Sequence, residues 1–411
     1  MPSSRAWAPA TFRFLTERVA LKRSSFSRTG FVRLCGEDSS SCYCNAQRLP
    51  VVGERLVVDG VDAVRVTFRW RRRDAGDCYV ILNTITDRSR EELDAFRMST
   101  TPESSEVLTL ACALPADALV SYQFVSVKAS GSDSCVRANM AQWIRFLEDA
   151  CPDEWNPLTL VNGRGQVASL FVGPDAHVVW PLEATLLSNM PARREEQIGA
   201  RVSARLAVPR DGGVVVHDGG TRPTRTLILF DGQMWRSNGV GWLTHRYPGL
   251  RLVTIDAGDV ASRQAELTDE ERVGALLRAV CDEVGEGPVM AAGQSYGGLA
   301  VLNAALRGDV PLDCVVSQSP SLWWGGRERG RGEGTLMAGL RAATLSPRTD
   351  VAVRLQVGTF EQAMCPIVED CGSLLRSHGV SVAVDEYRGG HDMAWWREGL
   401  VRALDDWCAL T

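Results

Sequence analysis

Lysine is nearly missing from this chain: of 45 lysine and arginine residues, only Lys22 and Lys128 are lysines. Genome base composition suffices as a cause, but the consequence is chemical. Cationic contacts must come from the planar guanidinium fork, which suits anionic and aromatic ligands through bidentate bonds and stacking. The net charge of -5 argues against nucleic acid as a partner, because that role needs a basic surface. No apolar run nears the roughly 20 residues of a membrane-spanning helix. No charged segment, apolar core and small-residue cleavage site opens the chain, so neither a membrane partner nor export is expected. Twelve cysteines are present, but they lack metal-binding spacing. Cys42 and Cys44 have only Cys35 beside them, and no second cluster completes a zinc site. Cys78, Cys112, Cys281, Cys314 and Cys408 lie in apolar patterns, where cysteine behaves as a small hydrophobe. The expectation is no metal site and a reducing cytoplasm.

At 411 residues the chain is long enough for two domains. An apolar fraction of 45% with 23% charged residues is ordinary for a globular protein. Residues 1–47 are rich in arginine and serine, and Gly36 to Asn45 is polar and turn-like; this segment reads as a flexible arm. Residues 48–178 carry short alternating strands at Arg55–Val58, Ala63–Trp70, Asp77–Leu82, Val107–Ala113, Leu119–Val127 and Gln166–Val172. Such spacing predicts a β-sandwich, with an irregular stretch between Ala138 and Leu160. Residues 179–411 alternate instead. Strands are expected at Arg225–Phe230, Leu250–Ile255, Val289–Ala292, Cys314–Ser317, Val351–Val357 and Val380–Tyr387. Helices are expected at Asp269–Val284, Leu299–Leu306, Met364–Ser377 and Ala394–Ala409. That alternation predicts an α/β domain with a doubly wound, mostly parallel sheet, its functional loops at the carboxyl ends of the strands.

One of those loops carries chemistry. Gly293-Gln294-Ser295-Tyr296-Gly297, followed by Gly298, lies between a strand and a helix, the setting of a nucleophile elbow. A serine hydroxyl needs an adjacent base, itself oriented by a carboxylate, in the chain order serine, acid, histidine. Histidine is scarce: there are five, and His177, His217 and His245 precede Ser295. His378 stands before Gly379 at a helix end, which suits a cap. His391 remains, in a Gly389-Gly390 loop after the last strand. For the acid, Glu361 follows the Val351–Val357 strand. Asp350 lies at the wrong end of that strand, and Glu369 and Asp370 read as an exposed helix face. The tetrahedral oxyanion needs two donors: the backbone N–H of Tyr296 is one, and a second is expected near Gln233 or Met234. Trp235, Trp323, Trp324, Trp395 and Trp396 flank these elements, where a planar aromatic ligand can stack. Trp395 and Trp396 adjoin on a helix and cannot both face the same way.

These residues also carry a resemblance. Gly293 to Ala300, Ser317-Gln318-Ser319-Pro320-Ser321-Leu322-Trp323-Trp324, Phe230-Asp231-Gly232-Gln233-Met234-Trp235 and Gly389-Gly390-His391-Asp392 with Trp396-Arg397 closely resemble the enterochelin (enterobactin) esterases. So do Thr254-Ile255-Asp256-Ala257, Ser262-Arg263-Gln264-Ala265-Glu266-Leu267, Asn156-Pro157 and Gly163-Arg164-Gly165. The resemblance runs from about residue 60 to the end and departs at Gln166, where the family usually has histidine. It implies an α/β-hydrolase domain preceded by an immunoglobulin-like sandwich that helps enclose the substrate. It also implies a triad of Ser295, Glu361 and His391, with Arg263 near the substrate. The substrate implied is a ferric catecholate siderophore with a serine trilactone backbone. Iron would then enter with the substrate, and no cofactor is expected. On this reading, removing the first domain spares small esters and harms the bulky substrate. Two alternatives stand beside it: another ester hydrolase or acyltransferase of the esterase D-like group, and a non-catalytic siderophore-binding protein.

Overall fold

A computed structural model describes residues 32–33, 50–73, 76–101, 104–127, 140–182, 194–210, 212–219, 222–308, 310–327 and 332–410. Most of the expected 1–47 arm, with Cys35, Cys42 and Cys44, lies outside the described residues. The chain divides into two compact units. The first takes the described residues up to Asn162, Gln166–His177 and Arg388–Ala394; the second takes Gly163–Gly165, Val178–Tyr387 and the residues from Trp395 on. The continuous 179–411 domain expected from sequence is thus interrupted, since the loop that carries His391 groups with the first unit.

The first unit is antiparallel throughout. One sheet holds β1 (Val32–Arg33), β6 (Ser104–Pro115), β3 (Val61–Arg71) and β2 (Val51–Val58) in that order, with β5 (Ser99–Thr101) also on β6. Val32 and Arg33, the two described residues of the segment expected to be an arm, pair with Ala113 and Cys112 at the edge of this sheet. The second sheet runs β4 (Asp77–Leu82), β7 (Leu119–Val127), β9 (Val167–Val172), β8 (Thr159–Val161). Period-two alternation puts Val64, Val66, Phe68 and Trp70 of β3 on one buried face. Phe68 meets Tyr122 at a centroid distance of 4.8 Å, and Trp70 meets Phe124 at 4.7 Å. These contacts close a sandwich, each buried aromatic contributing about 1.5–3 kcal/mol by area. Ser121 and Gln123 alternate with Tyr122 and Phe124 on β7, so they face away from the sandwich core, yet they are buried too. The stretch expected to be irregular contains a helix, Met140–Glu148, whose Trp143 and Leu147 lie one turn apart and are both buried.

The second unit is built on an eight-stranded sheet, ordered β10 (Arg194–Gln197), β11 (Val214–Asp218), β13 (Leu250–Ile255), β12 (Arg225–Phe230), β14 (Val289–Gln294), β15 (Cys314–Gln318), β16 (Ala352–Gly358), β17 (Ser381–Tyr387). From β13 to β17 neighbours are parallel; β10 and β11 add an antiparallel edge that the sequence pattern did not announce. Leu227, Ile228, Leu229 and Phe230 are all buried, as expected of a strand covered on both faces by helices. Helices Glu270–Val284, Tyr296–Arg307, Met364–Ser377 and Met393–Leu410 lie where the 3.6-residue periodicity predicts them. Burial pushes the thiols of Cys371 and Cys314 up to about 12 and that of Cys281 up to about 11, so these cysteines pack as inert apolar groups.

Candidate active site

Register fixes the floor of the site. Gln294, Gln318 and Gln356 pair across β14, β15 and β16, at the carboxyl ends of the first two strands and near that of the third. Their buried amides bond in series: Gln294 Nε2 donates to Gln318 Oε1 at 2.9 Å, and Gln318 Nε2 to Gln356 Oε1 at 2.8 Å. Trp235 Nε1 donates to Gln294 Oε1 at 3.2 Å, and Gln356 Nε2 to the Gly399 carbonyl at 3.0 Å. A fully paired polar row in a low-dielectric core favours a single strand register.

Ser295 follows directly on this row. Its φ of 58° and ψ of -116° belong to a strained, sharp turn that a non-glycine residue adopts only under constraint. The constraint is visible: Ser295 N–H donates to Gln318 O at 3.0 Å, and its carbonyl accepts from Leu299 and Ser321 N–H. A Cβ at Gly293 would fall 2.4 Å from the Gly297 carbonyl, and one at Gly298 would fall 2.9 Å from the Gln318 carbonyl. Those two glycines are therefore steric requirements of the turn. The half-buried Ser295 Oγ lies 3.3 Å from Ser321 Oγ.

Glu361 ends the short turn Thr359–Glu361 that follows β16 and is 1% exposed. Its Oε1 accepts from Ser319 Oγ at 2.5 Å and from Gly358 N–H at 3.1 Å. Ser319 Oγ in turn accepts from Trp396 Nε1 at 3.0 Å. Ser319 has a φ of 44°, so this carboxylate has a dedicated hydrogen-bonded support that the sequence did not reveal. Asp350 is exposed and pairs with Arg348, while Asp370 pairs with Arg341 on the surface.

Asp231, at the end of β12, has left-handed dihedrals (φ 58°, ψ 43°) and opens the helix Gly232–Ser237. Arg263 clamps it, Nε to Oδ1 at 2.5 Å and Nη2 to Oδ2 at 2.7 Å, and Nη2 also reaches Gln294 O at 3.4 Å. Burial works against the Arg263 cation, but the bonds and charge of Asp231 outweigh it and hold its pKa above the ordinary value. The fork expected to grip substrate is thus engaged by Asp231. Met234 N–H donates to the Asp231 carbonyl at 3.0 Å, which ties that amide into the helix start. The Gln233 side chain accepts from the Ala257 backbone N–H at 3.0 Å.

The tryptophans separate. Trp235 is 0% exposed and packs beside Trp180, which corrects its assignment as a stacking surface. Trp395 and Trp396 are buried as well. Trp323 and Trp324 are only half-buried and surround Tyr296, with centroids 5.7 and 5.5 Å from its ring. His378 caps its helix and its Nε2 lies 2.9 Å from Leu340 O. His217 is buried between Glu195 and Thr254; burial lowers its pKa against the opposing pull of Glu195.

His391 is exposed and lies in the segment that groups with the first unit. Its backbone N–H donates to Thr84 Oγ1 at 2.6 Å. The next residue, Asp392, is 1% exposed, caps the last helix through Ala394 N–H at 3.1 Å, and accepts from Ser121 N–H at 2.6 Å. Gln166, where the family pattern departs, donates from Nε2 to Leu147 O at 2.9 Å and serves packing.

Comparison with known proteins agrees with this architecture. The family "Enterochelin esterase, N-terminal" matches residues 65–180, and an esterase family matches residues 270–407. The iron(III) enterobactin esterase of Escherichia coli K12 is 30% identical over 281 residues, 64% of this chain and 69% of that protein. The iron(III) salmochelin esterase of Escherichia coli O6:H1 is 26% identical over 385 residues, 84% of this chain and 88% of its own length. The crystal structure of a ferric enterobactin esterase from Salmonella typhimurium superposes with a TM-score of 0.68 at 25% identity, covering 85% of this chain and 95% of that one. With a β-sandwich unit ahead of an α/β-hydrolase unit, this chain belongs to the enterochelin esterase family.

Proposed function

We propose that this protein is a serine esterase that opens the trilactone backbone of a ferric catecholate siderophore, with Ser295 as nucleophile, His391 as base and Glu361 as the orienting acid. The Ser295 elbow carries the reading: a serine held at φ 58° by backbone bonds at the carboxyl edge of a parallel sheet has no packing purpose that would balance its strain. Family membership and the names of the relatives support the substrate class.

In this mechanism His391 takes the Ser295 proton as Oγ adds to the ester carbonyl. Glu361 holds the imidazole and stabilises the imidazolium, while the backbone N–H groups of Tyr296 and Gln233 receive the oxyanion. Collapse breaks the ester C–O bond and His391 returns the proton to the leaving serine hydroxyl. Water, deprotonated by the same imidazole, then adds to the acyl-enzyme and frees Ser295. The half-buried Trp323 and Trp324, packed around the buried Tyr296, offer aromatic faces to catechol rings. Iron is part of the substrate in this scheme and needs no resident cofactor. A reducing cytoplasm is the place of action in this reading.

Product analysis tests the reading. Wild-type protein and Ser295→Ala are incubated with a ferric tris-catecholate trilactone, its iron-free form and a nitrophenyl ester, and products are identified by mass. The expected result is linear dihydroxybenzoyl-serine ester products from wild type and none above background from Ser295→Ala. Turnover of the nitrophenyl ester alone points to another ester hydrolase of this fold. Tight siderophore binding without turnover points to a binding protein.

A further inference from the structure

We propose that Thr84, with Asn83 and Ser121, is a positioning element for the catalytic base, acting through the backbone of the loop that carries His391. This rests on the reading of His391 as the base.

Thr84 has φ 67° and ψ -44°, a conformation that a β-branched residue avoids, so the surroundings must over-determine it. They do. Thr84 N–H donates to Asp87 Oδ2 at 2.8 Å, and Asp87 Oδ1 accepts from the buried Trp143 Nε1 at 2.7 Å. The strained residue, itself buried, is thereby pinned to the core of its own unit.

What the strain achieves is a fixed hydroxyl. Thr84 Oγ1 accepts the His391 backbone N–H at 2.6 Å and donates to Asn83 Oδ1 at 3.0 Å. Asn83 Nδ2 donates to Ser121 Oγ at 3.4 Å, and Ser121 Oγ donates to Asp392 Oδ1 at 3.0 Å. The series therefore starts on His391 and ends on its neighbour Asp392, embracing the peptide that carries the base. Ser121 N–H adds a second bond to Asp392 at 2.6 Å, and Leu119 N–H donates to Arg388 O at 2.9 Å. Contact is close enough that a Cβ at Gly390 would fall 2.4 Å from Thr84 Cβ and Oγ1. Nothing in substrate binding calls for these bonds: they engage backbone and a buried carboxylate rather than the imidazole of His391. Their chemical use is to keep one loop geometry for a residue that must accept and return a proton within hydrogen-bond reach, where a displacement near 1 Å can cost about 100-fold in rate.

The full-length protein is compared with Thr84→Val, Thr84→Gly, Thr84→Ser and His391→Ala by kcat and KM on a nitrophenyl ester and on the ferric siderophore, with circular dichroism melts as a check of folding. Thr84→Val removes the hydroxyl at constant shape, and Thr84→Gly removes it while accepting positive φ without strain, so at least one variant reports on a folded protein. The expected result is a fall in kcat of roughly 10- to 100-fold on both substrates, with KM for the small ester within about twofold, and recovery to within about threefold in Thr84→Ser. Wild-type kcat in folded Thr84→Val or Thr84→Gly overturns the proposal. So does a defect confined to siderophore KM, or a Thr84→Ser variant as impaired as Thr84→Val. Full activity in His391→Ala removes the base assignment itself, and the present proposal with it.

Discussion

Removing the Arg263 guanidinium should destabilise the protein and slow hydrolysis of small and large esters alike, because the fork holds Asp231. The paired side chains are 24% and 7% exposed, so an alanine at 263 leaves a nearly buried carboxylate without its counter-charge. Breaking a buried pair from one side costs about 3–5 kcal/mol, and the partial exposure of the guanidinium puts the value for Arg263→Ala near the lower bound, about 3 kcal/mol. Arg263→Lys keeps the charge but cannot reproduce both bonds, and should recover about half of that loss. Asp231→Asn tolerates the left-handed backbone at 231, so a cycle of Arg263→Ala, Asp231→Asn and the double variant isolates the pair. Its coupling should be about 1.5–3 kcal/mol. Urea unfolding supplies the stabilities, and kcat/KM is measured in parallel on a nitrophenyl ester and the ferric siderophore. Since Asp231 opens the helix bearing Gln233, activity should drop on both. Unchanged stability and unchanged small-ester turnover, with a raised KM for the ferric substrate alone, would refute the clamp and return Arg263 to substrate recognition.

Three further variants probe the same geometry. Glu361→Gln keeps an acceptor for Ser319 and Gly358 but loses the charge; kcat should fall by roughly 100- to 10,000-fold with the melting temperature little changed, read by steady-state kinetics and calorimetry. Trp323→Ala should raise KM for the siderophore more than for a nitrophenyl ester, whereas Trp235→Ala should cost about 3–5 kcal/mol of stability, measured by urea denaturation, because its ring is fully buried.

The parts legible in the sequence were those encoded locally. Ser295 announced itself because strand, turn and helix chemistry are contiguous around it, and strands such as β12 (Arg-Thr-Leu-Ile-Leu-Phe) are largely apolar runs bounded by turn residues. The helix at Met140–Glu148 escaped notice because two buried side chains, Trp143 and Leu147, are too few to set a period. The edge strands β10 and β11 read Arg-Glu-Glu-Gln and a short valine run, patterns that acquire meaning only beside β13. Arg263 was legible as an important cation but not as the partner of Asp231, 32 residues away. Thr84 was invisible: its role arises from a backbone conformation and from a bond to His391, 307 residues later. Trp235 followed a strand like the other candidate aromatics, and only packing told which face it took.

Covalent catalysis at Ser295 on a siderophore ester is open to test by rapid-quench mass spectrometry of the protein during turnover of the ferric trilactone. A transient acyl adduct of the opened dihydroxybenzoyl-serine trimer is expected on the peptide containing Ser295, absent from Ser295→Ala, which forms no linear product. Linear product released by Ser295→Ala at the wild-type rate, with no adduct on the wild-type peptide, would contradict it.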